Sequence, residues 1–395
     1  MAAPPPPPPP PRRGLSTGAK IGLACGTGCL VVVALVGAGV YLAYVRVAKP
    51  LQQAMGMGPP APASTGPQAI LQQAWSINLP ATAVAVMGSA PQRPAQLLAL
   101  TNDRLVTRYD ATGKSLGTMT LPSAAGRLVA DASGRLNKFL VSSSSSISAL
   151  DLQGRTAWTY TLPANSLPQM QLLITDLQGD GQSEILTNAG ASIVCLDAKG
   201  GRVWSTPVSQ GMGALAASDL DGDGKLEIIA PGSGSGFQVL DAQGQPKTTW
   251  TASLMCWSLQ AAVLQPGKAP QVAAMGIPIR PGKALPAGAL ELFSAPGNSL
   301  GTVAVPVGFQ AAAFGPLAVV DTDGDQTKAW AALGGDGGIY LISADAKQEE
   351  VHFTGQRLFS IAVLPQTGGG DLLITASQSA LTAWRRIPGK VSTVD

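Results

Sequence analysis

The chain has 395 residues, of which 45% are apolar and only 12% are charged. This composition excludes a chain kept disordered by its charges, and the 47 glycines and 32 prolines are typical of many short strands joined by turns. The first 50 residues hold five basic side chains and no acidic one, so the net charge of +3 leaves 21 basic and 23 acidic side chains elsewhere. Because that body is nearly neutral and has no cluster of lysine or arginine, we do not expect it to bind nucleic acid.

The N-terminal region has the pattern of a membrane anchor. Residues 21–45 are 25 consecutive residues without a charge, more than the ~20 that a helix needs to cross the hydrocarbon layer. We predict a transmembrane helix there, preceded by a disordered proline-rich tail over residues 1–20 and followed by a flexible linker over residues 46–68. The apolar run exceeds a signal-peptide core and ends without a small-x-small cleavage site, which favours an uncleaved anchor over a cleaved leader.

The flanks of this run bear on its orientation and on its pairing. Three basic residues precede it and two follow it, which favours a cytoplasmic N-terminus and an extracytoplasmic body. Gly22 and Gly26 form a small-x-x-x-small pair, a spacing that allows the helix to self-associate. Small residues are also common in membrane helices that do not pair, so both interpretations stay open.

A short phrase recurs from residue 69 onward. It combines Leu-Asp-x-x-Gly with a following tryptophan, as in Asp151, Gly154 and Trp158. The aspartate is expected to accept hydrogen bonds from backbone amides of a tight turn, the glycine to supply the positive φ, and the tryptophan to pack between neighbouring units. Successive markers are 41 to 54 residues apart, a period typical of four-stranded propeller blades. The markers are Asp110, Asp151, Asp197, Asp241, Ala295 and Asp345.

These repeats predict an all-β fold, a seven-bladed β-propeller over residues 69–395. Its units lie near residues 82–120, 125–163, 170–208, 213–254, 257–305, 309–354 and 358–388. The last unit lacks a clear outer strand, whereas the segment around Trp75 resembles an outer strand with no blade before it. We therefore predict that this segment pairs beside the strand around Trp384, which closes the ring and removes its free edges.

The densest group of carboxylates follows the first strand of the fourth unit. Oxygen ligands at positions 1, 3, 5 and 9, with the carbonyl of position 7 and a glycine at position 6, suit a hard cation of Ca²⁺ size. Without a cation, four carboxylates within nine residues repel one another. The predicted ligand residues are Asp219, Asp221, Asp223, Lys225 and Glu227.

Two other units carry related loops. The third unit replaces one carboxylate by an amide and is expected to bind Ca²⁺ more weakly, through Asp176, Gln178, Asp180, Gln182 and Glu184. The sixth unit contains Asp321, Asp323 and Asp325 but lacks the glycine at position 6 and the acid at position 9, so its metal binding is left open. Such open loops are typical of affinities on the order of 10⁻⁴ to 10⁻³ M, which would leave them empty in cytosol. Calcium as a cofactor therefore also favours an extracytoplasmic propeller.

The acidic loops and the short apolar strands after them resemble the FG-GAP/VCBS repeats of integrin-α-type propellers over residues 170–340. The Leu-Asp-x-x-Gly-x-x-x-Trp phrase also resembles pyrroloquinoline-quinone-type propeller repeats. These resemblances imply a binding propeller of the cell surface or envelope with structural Ca²⁺. The further domains of integrins have no counterpart here, so the resemblance does not indicate a particular partner.

Residues suited to catalysis are scarce. His352, the one histidine, is predicted at an exposed position of an outer strand rather than as a general base. The chain shows no nucleophile elbow or phosphate-binding loop. We therefore expect a non-enzymatic module, anchored in the cell membrane by a single span, that binds a protein or glycan ligand. The alternatives are an envelope protein-assembly scaffold resembling quinone-type-repeat lipoproteins and a carbohydrate-active enzyme of the surface.

Overall fold

The computed structural model describes residues 60–65, 69–89, 93–101, 104–163, 171–208, 214–232, 236–278, 288–306, 316–347, 349–366 and 369–389. The predicted tail, the predicted transmembrane helix over 21–45 and most of the predicted linker lie outside these residues. Among the residues described, no helix has the length and apolar character needed to cross a bilayer.

Seven four-stranded antiparallel sheets make up the described chain. The first six blades each use four consecutive strands, and the seventh takes its outermost strand from the N-terminal side. The strands are β1 (Leu71–Ile77), β2 (Ala83–Met87), β3 (Gln96–Thr101), β4 (Leu105–Tyr109), β5 (Ser115–Thr120), β6 (Arg127–Ala130), β7 (Phe139–Ser142), β8 (Ser146–Leu150), β9 (Thr156–Thr161), β10 (Leu172–Thr175), β11 (Glu184–Asn188), β12 (Ser192–Leu196), β13 (Arg202–Pro207), β14 (Ala216–Ser218), β15 (Glu227–Pro231), β16 (Gly236–Leu240), β17 (Pro246–Thr251), β18 (Leu254–Ala262), β19 (Gln271–Pro278), β20 (Ala289–Ser294), β21 (Asn298–Ala304), β22 (Leu317–Val320), β23 (Ala329–Leu333), β24 (Gly338–Ile342), β25 (Glu349–Phe353), β26 (Leu358–Leu364), β27 (Leu372–Ser377) and β28 (Leu381–Arg386). The predicted seven-bladed propeller is confirmed.

Burial follows the position of a strand within its blade. The second strand of blade 1, β3, is buried at all six positions, because both faces of the sheet are covered by neighbouring blades. The outermost strands alternate instead, as in β9, where Thr156 and Thr159 are exposed and Trp158 and Tyr160 are half-buried. Apolar runs therefore occupy the middle of each blade, and a two-residue alternation marks its rim.

Each of the seven hydrophobic clusters in the described chain is shared by two adjacent blades. Between blades 1 and 2, for example, Leu98 and Val106 pack with Leu128 and Phe139. The same pattern continues around the ring and ends with the cluster that joins blade 7 to blade 1. A single blade has no closed core, so the free energy of apolar burial depends on the complete ring.

The ring closes as predicted, with β1 as the outer strand of blade 7. Strand β1 pairs with β28, with Gln73 opposite Trp384 and Trp75 opposite Ala383. The chain therefore joins its two ends within one sheet. This pairing leaves the last blade with the same four strands as the others and removes the unpaired edge that an open ring would expose.

The Asp-x-x-Gly turns connect the third and fourth strands and contact the preceding blade. In blade 3, Asp197 Oδ1 accepts the amides of Lys199 and Gly201, both at 2.8 Å, and Gly200 has a φ of +84°. The indole of Trp158 from blade 2 lies against Gly200 and donates its Nε1 hydrogen to the carbonyl of Ala198 at 3.0 Å. Equivalent bonds join Trp75 to Ala111 and Trp204 to Ala242. The predicted roles of the aspartate, glycine and tryptophan are thus all present.

The last part of the predicted linker contacts blade 6. The amide of Ala61 donates to the carbonyl of Asp336 at 2.7 Å. Ser64 bonds Phe353 twice, by donating its amide to the carbonyl at 2.7 Å and by accepting the Phe353 amide on its hydroxyl at 2.9 Å. Residues 60–65 therefore contact the β23–β24 turn and the end of β25 before the chain reaches β1 in the next blade.

Substitution of Gly200 by alanine tests the contact between turn and tryptophan. A Cβ at Gly200 would lie 2.6 Å from a ring carbon of Trp158, whereas a Cβ at Gly190 in the same blade meets nothing within 4 Å, although its φ is also positive. We expect Gly190→Ala to cost roughly 1 kcal/mol of unfolding free energy through its backbone alone. Gly200→Ala should cost about 1–3 kcal/mol more because it also overpacks the interface between blades. Denaturant unfolding followed by circular dichroism measures both, and equal losses would contradict the packing role.

Candidate functional site

The three acidic loops lie at one end of the disc. They connect the first and second strands of their blades and comprise residues 176–183 in blade 3, 219–226 in blade 4 and 321–328 in blade 6. Successive strands are antiparallel, so the Asp-x-x-Gly turns between third and fourth strands lie at the same end. We call this end the loop face. Adjacent loops also bond one another there, as where the amide of Leu226 donates to the carbonyl of Leu177 at 3.0 Å.

The first aspartate of each loop holds the backbone in a tight turn. Asp219 accepts the amides of Gly222 and Gly224 at 2.7 and 3.0 Å, one on each oxygen. Asp321 in blade 6 accepts the amides of Gly324 and Gln326 at 2.7 and 2.9 Å. Gln326 takes a φ of +70°, close to the +85° of Gly224, so the blade 6 loop keeps this turn without the glycine.

The glutamate at position 9 is buried in the blade 4 loop and half-buried in the blade 3 loop. Glu227 is 3% exposed and accepts the amide of Leu220 at 2.9 Å. Glu184 accepts the amide of Leu177 at 2.8 Å, and burial raises the pKa of its carboxyl. Blade 6 has alanine at this position, but Asp371 of blade 7 comes close and accepts the amide of Asp321 at 3.0 Å. Burial, and secondarily the charge of Asp321, raises the pKa of Asp371.

The blade 4 loop gathers the carboxylates best suited to a cation. Ligand oxygens of Asp219, Asp221 and Glu227 lie within 4.8 Å of one another, the one such group of three among the described residues. Lys247 on β17 also reaches this group, with its Nζ 2.6 Å from Asp221 Oδ2 and 2.9 Å from Glu227 Oε1. These bonds lower the pKa of the Asp221 carboxyl and raise the pKa of Lys247. The oxygen donors fit a hard divalent cation, but two of them already bind an ammonium.

The other predicted ligands of the blade 4 loop lie at its exposed tip. Asp223 accepts the amide of Lys225 at 2.8 Å, and both side chains are exposed. In the blade 6 loop, Asp325 likewise accepts the amide of Thr327 at 2.7 Å, and Asp323 accepts the hydroxyl of Thr322. These aspartates stand outside the converging group of Asp219, Asp221 and Glu227.

The predicted ligands of the blade 3 loop bond to several different residues instead of converging on one point. Asp176 forms a salt bridge of 2.7 Å with Arg135 of blade 2. Gln178 turns toward blade 4, where it donates to the carbonyl of Ala242 at 3.3 Å and accepts from the side chain of Gln243 at 3.0 Å. Asp180 bonds the backbone and side-chain nitrogens of Gln182 at 2.8 and 3.3 Å. The structure therefore does not bring these ligands together as it does in blade 4.

The predicted exposure of His352 is wrong. The side chain is 3% exposed and packs edge-on against Trp384 of blade 7, with ring centroids 5.1 Å apart. Its Nδ1 has no hydrogen-bond partner among the described residues, and burial lowers its pKa to about 4. Beside it, Glu350 and Arg386 form an ion pair across the same seam between blades. His352 is therefore a packing residue of the seam between blades 6 and 7.

The fold and the loop face define a class of protein, a seven-bladed β-propeller with acidic loops at one end. No protein-family model matches the chain, and no curated protein sequence matches it.

Solved structures resemble the fold at low sequence identity. BBS1N in complex with ARL6DN, in crystals soaked with mercury, has a TM-score of 0.62 and 12% identity over 82% of this chain and 100% of that chain. The WD40 domain of Neurospora crassa Pan2 has a TM-score of 0.54 and 15% identity over 85% and 100%. BamB from Moraxella catarrhalis has a TM-score of 0.50 and 18% identity over 80% and 98%. At these identities the similarity shows the fold alone.

The burial of His352 predicts a pH dependence of stability. The unfolded chain takes up a proton on this histidine near pH 6.5, the folded chain only near pH 4, so the free energy of unfolding should fall as the pH drops between these values. Because His352 is the only histidine, His352→Phe should remove this component. Melting temperatures at pH 7.5, 5.5 and 4.5 test this. A constant difference between wild type and variant across the range would contradict the assignment.

Proposed function

We propose that this protein is a non-enzymatic binding propeller whose loop face docks a protein partner. The observation that carries the proposal is the rigid presentation of exposed carboxylates on that face. Asp180, Asp221, Asp223, Asp323 and Asp325 are all exposed, while the strands beneath them are buried in the ring. Binding residues commonly lie on loops that a rigid scaffold holds in place, because the scaffold limits the entropy lost on binding.

The similarity to a complexed structure supports a protein as the ligand. BBS1N, whose fold this chain resembles, was crystallised with ARL6DN. The acidic loops present exposed carboxylates at their tips beside exposed lysines such as Lys225 and Lys328. Those carboxylates would favour basic side chains on the partner through electrostatic complementarity. Exposed charges of this kind raise the rate of association and exclude acidic partners.

Calcium and membrane attachment belong to the same proposal. We infer that Ca²⁺ binds the blade 4 loop through Asp219, Asp221 and Glu227 and stabilises the loop face, as in FG-GAP/VCBS repeats. The 25 uncharged residues at 21–45 support a single-span anchor with the propeller outside the cytoplasm, where millimolar Ca²⁺ suits such open loops.

Charge reversal on the loop face tests partner binding. In cells that make the full-length protein, cross-linking and quantitative mass spectrometry would compare the wild type with Asp223→Lys/Asp323→Lys. We expect partner recovery to fall at least about ten-fold, because a basic partner then meets like charge. The matched control is Ser144→Lys/Ser145→Lys on the β7–β8 turn, at the opposite end of the disc. The hydroxyls of Ser144 and Ser145 are exposed and form no hydrogen bond with the described residues. Loss of partner only in the control would place the docking surface on the other face.

A thermal melt tests the calcium proposal. For a site with a dissociation constant near 1 mM, 10 mM Ca²⁺ should stabilise the full-length protein in detergent by about 1.4 kcal/mol relative to chelator. That corresponds to a rise of roughly 2 °C in melting temperature for a domain of this size. Sodium chloride of matched ionic strength is the control. An equal rise with sodium chloride would show screening instead of Ca²⁺ binding.

A further inference from the structure

Lys247 on β17 bonds two of the three carboxylates that would hold a cation in the blade 4 loop. Its Nζ is 2.6 Å from Asp221 and 2.9 Å from Glu227, two of the three residues whose oxygens converge within 4.8 Å. Lysine carries one compact positive charge at the end of its side chain. The converging carboxylates are therefore already partly neutralised by the chain itself.

Two strands fix the positions of the ammonium of Lys247 and of the carboxylate of Glu227. Lys247 follows the Asp241 turn, in which the carboxylate accepts the amides of Gln243 and Gln245 at 3.0 and 2.7 Å, and it lies in β17. Glu227 lies in β15 and is buried. A Ca²⁺ ion needs oxygens at 2.3–2.6 Å, and an ammonium bonded to the same two carboxylates obstructs that approach.

We propose that Lys247 is a built-in competitor of the divalent cation in the blade 4 loop, an inference that rests on the calcium binding proposed above. The ammonium holds the loop folded when calcium is low, and Ca²⁺ binds by displacing it from Asp221 and Glu227. The lysine thereby lowers the calcium affinity of the loop and sets the concentration range in which the loop responds.

The blade 3 loop has no lysine at the position that corresponds to Lys247. The residue that corresponds to Lys247, three positions after the turn glycine, is Val203 in blade 3, and its side chain is 57% exposed. The blade 3 loop instead bonds Arg135, which reaches Asp176 but not Glu184 among the described ion pairs. Among the described ion pairs, blade 4 is thus the loop in which one ammonium bridges Asp221 and the buried Glu227.

Lys247→Met in the full-length protein tests the competition, because methionine keeps an unbranched apolar side chain and removes the charge. In chelator the variant should melt below wild type, since Asp221 and Glu227 then face each other without a cation. Its half-saturating Ca²⁺ concentration, measured by melting temperature and by calorimetric titration, should be at least ten-fold lower than in wild type. Lys247→Gln, which keeps hydrogen-bond donors, provides a second variant should the methionine fail to fold.

Lys199→Met is the matched control. It removes the same charge from the Asp-x-x-Gly turn of the neighbouring blade 3 at the same end of the disc, and the Lys199 side chain is exposed and takes part in none of the described ion pairs. Its calcium response should stay within two-fold of wild type.

The outcomes separate the inference from the proposed calcium binding. Equal gains in Lys247→Met and Lys199→Met would overturn the competition, because general electrostatics would then explain both. A wild-type response with no gain in Lys247→Met would overturn the inference but leave calcium binding intact. A response in Lys247→Met with none in wild type would support the competitor and refute calcium binding by the native loop. No binding in either protein would overturn both.

Discussion

The sharing of every hydrophobic cluster between two blades is the constraint on which the rest of the structure depends. A blade on its own would expose apolar surface on both faces of its sheet, and only a neighbour on each side covers it. The ring of blades must therefore be complete. This requirement explains why β1 forms the outer strand of blade 7. The tryptophans that lie against the turns of four neighbouring blades extend the same dependence to the rim.

The strands of this ring hold the acidic loops of the loop face in place, so that like charges lie close together. The three acidic loops offset that repulsion in different ways. The blade 4 loop binds a lysine of its own blade, and the blade 3 loop binds Arg135 of the blade before it. The blade 6 loop is joined instead by Asp371 of the blade after it, where burial keeps that carboxyl easier to protonate. Two of the three loops therefore depend on a residue of a neighbouring blade.

The sequence predicted the features that act over a few residues and missed those that depend on neighbouring strands. Asp197 and Gly200 form their turn within five residues, so the phrase alone indicated it, and the unmatched half-blade around Trp75 indicated the closure. Lys247 was missed because it meets Asp221 only when the outer strand lies beside the loop. The burial of His352 depends on Trp384 in the next blade, which no local pattern reveals.

The approach of the chain to the disc has a mechanical consequence. Before it enters β1, the segment at 60–65 is tied to blade 6 through Ala61 and Ser64. A pull arriving from the N-terminal side is therefore borne first by those bonds and reaches the closing strand only after they have parted. Ala61 and Ser64 thus protect the closing strand mechanically. Force on the linker breaks a short stretch of hydrogen bonds to blade 6 before it can separate β1 from β28.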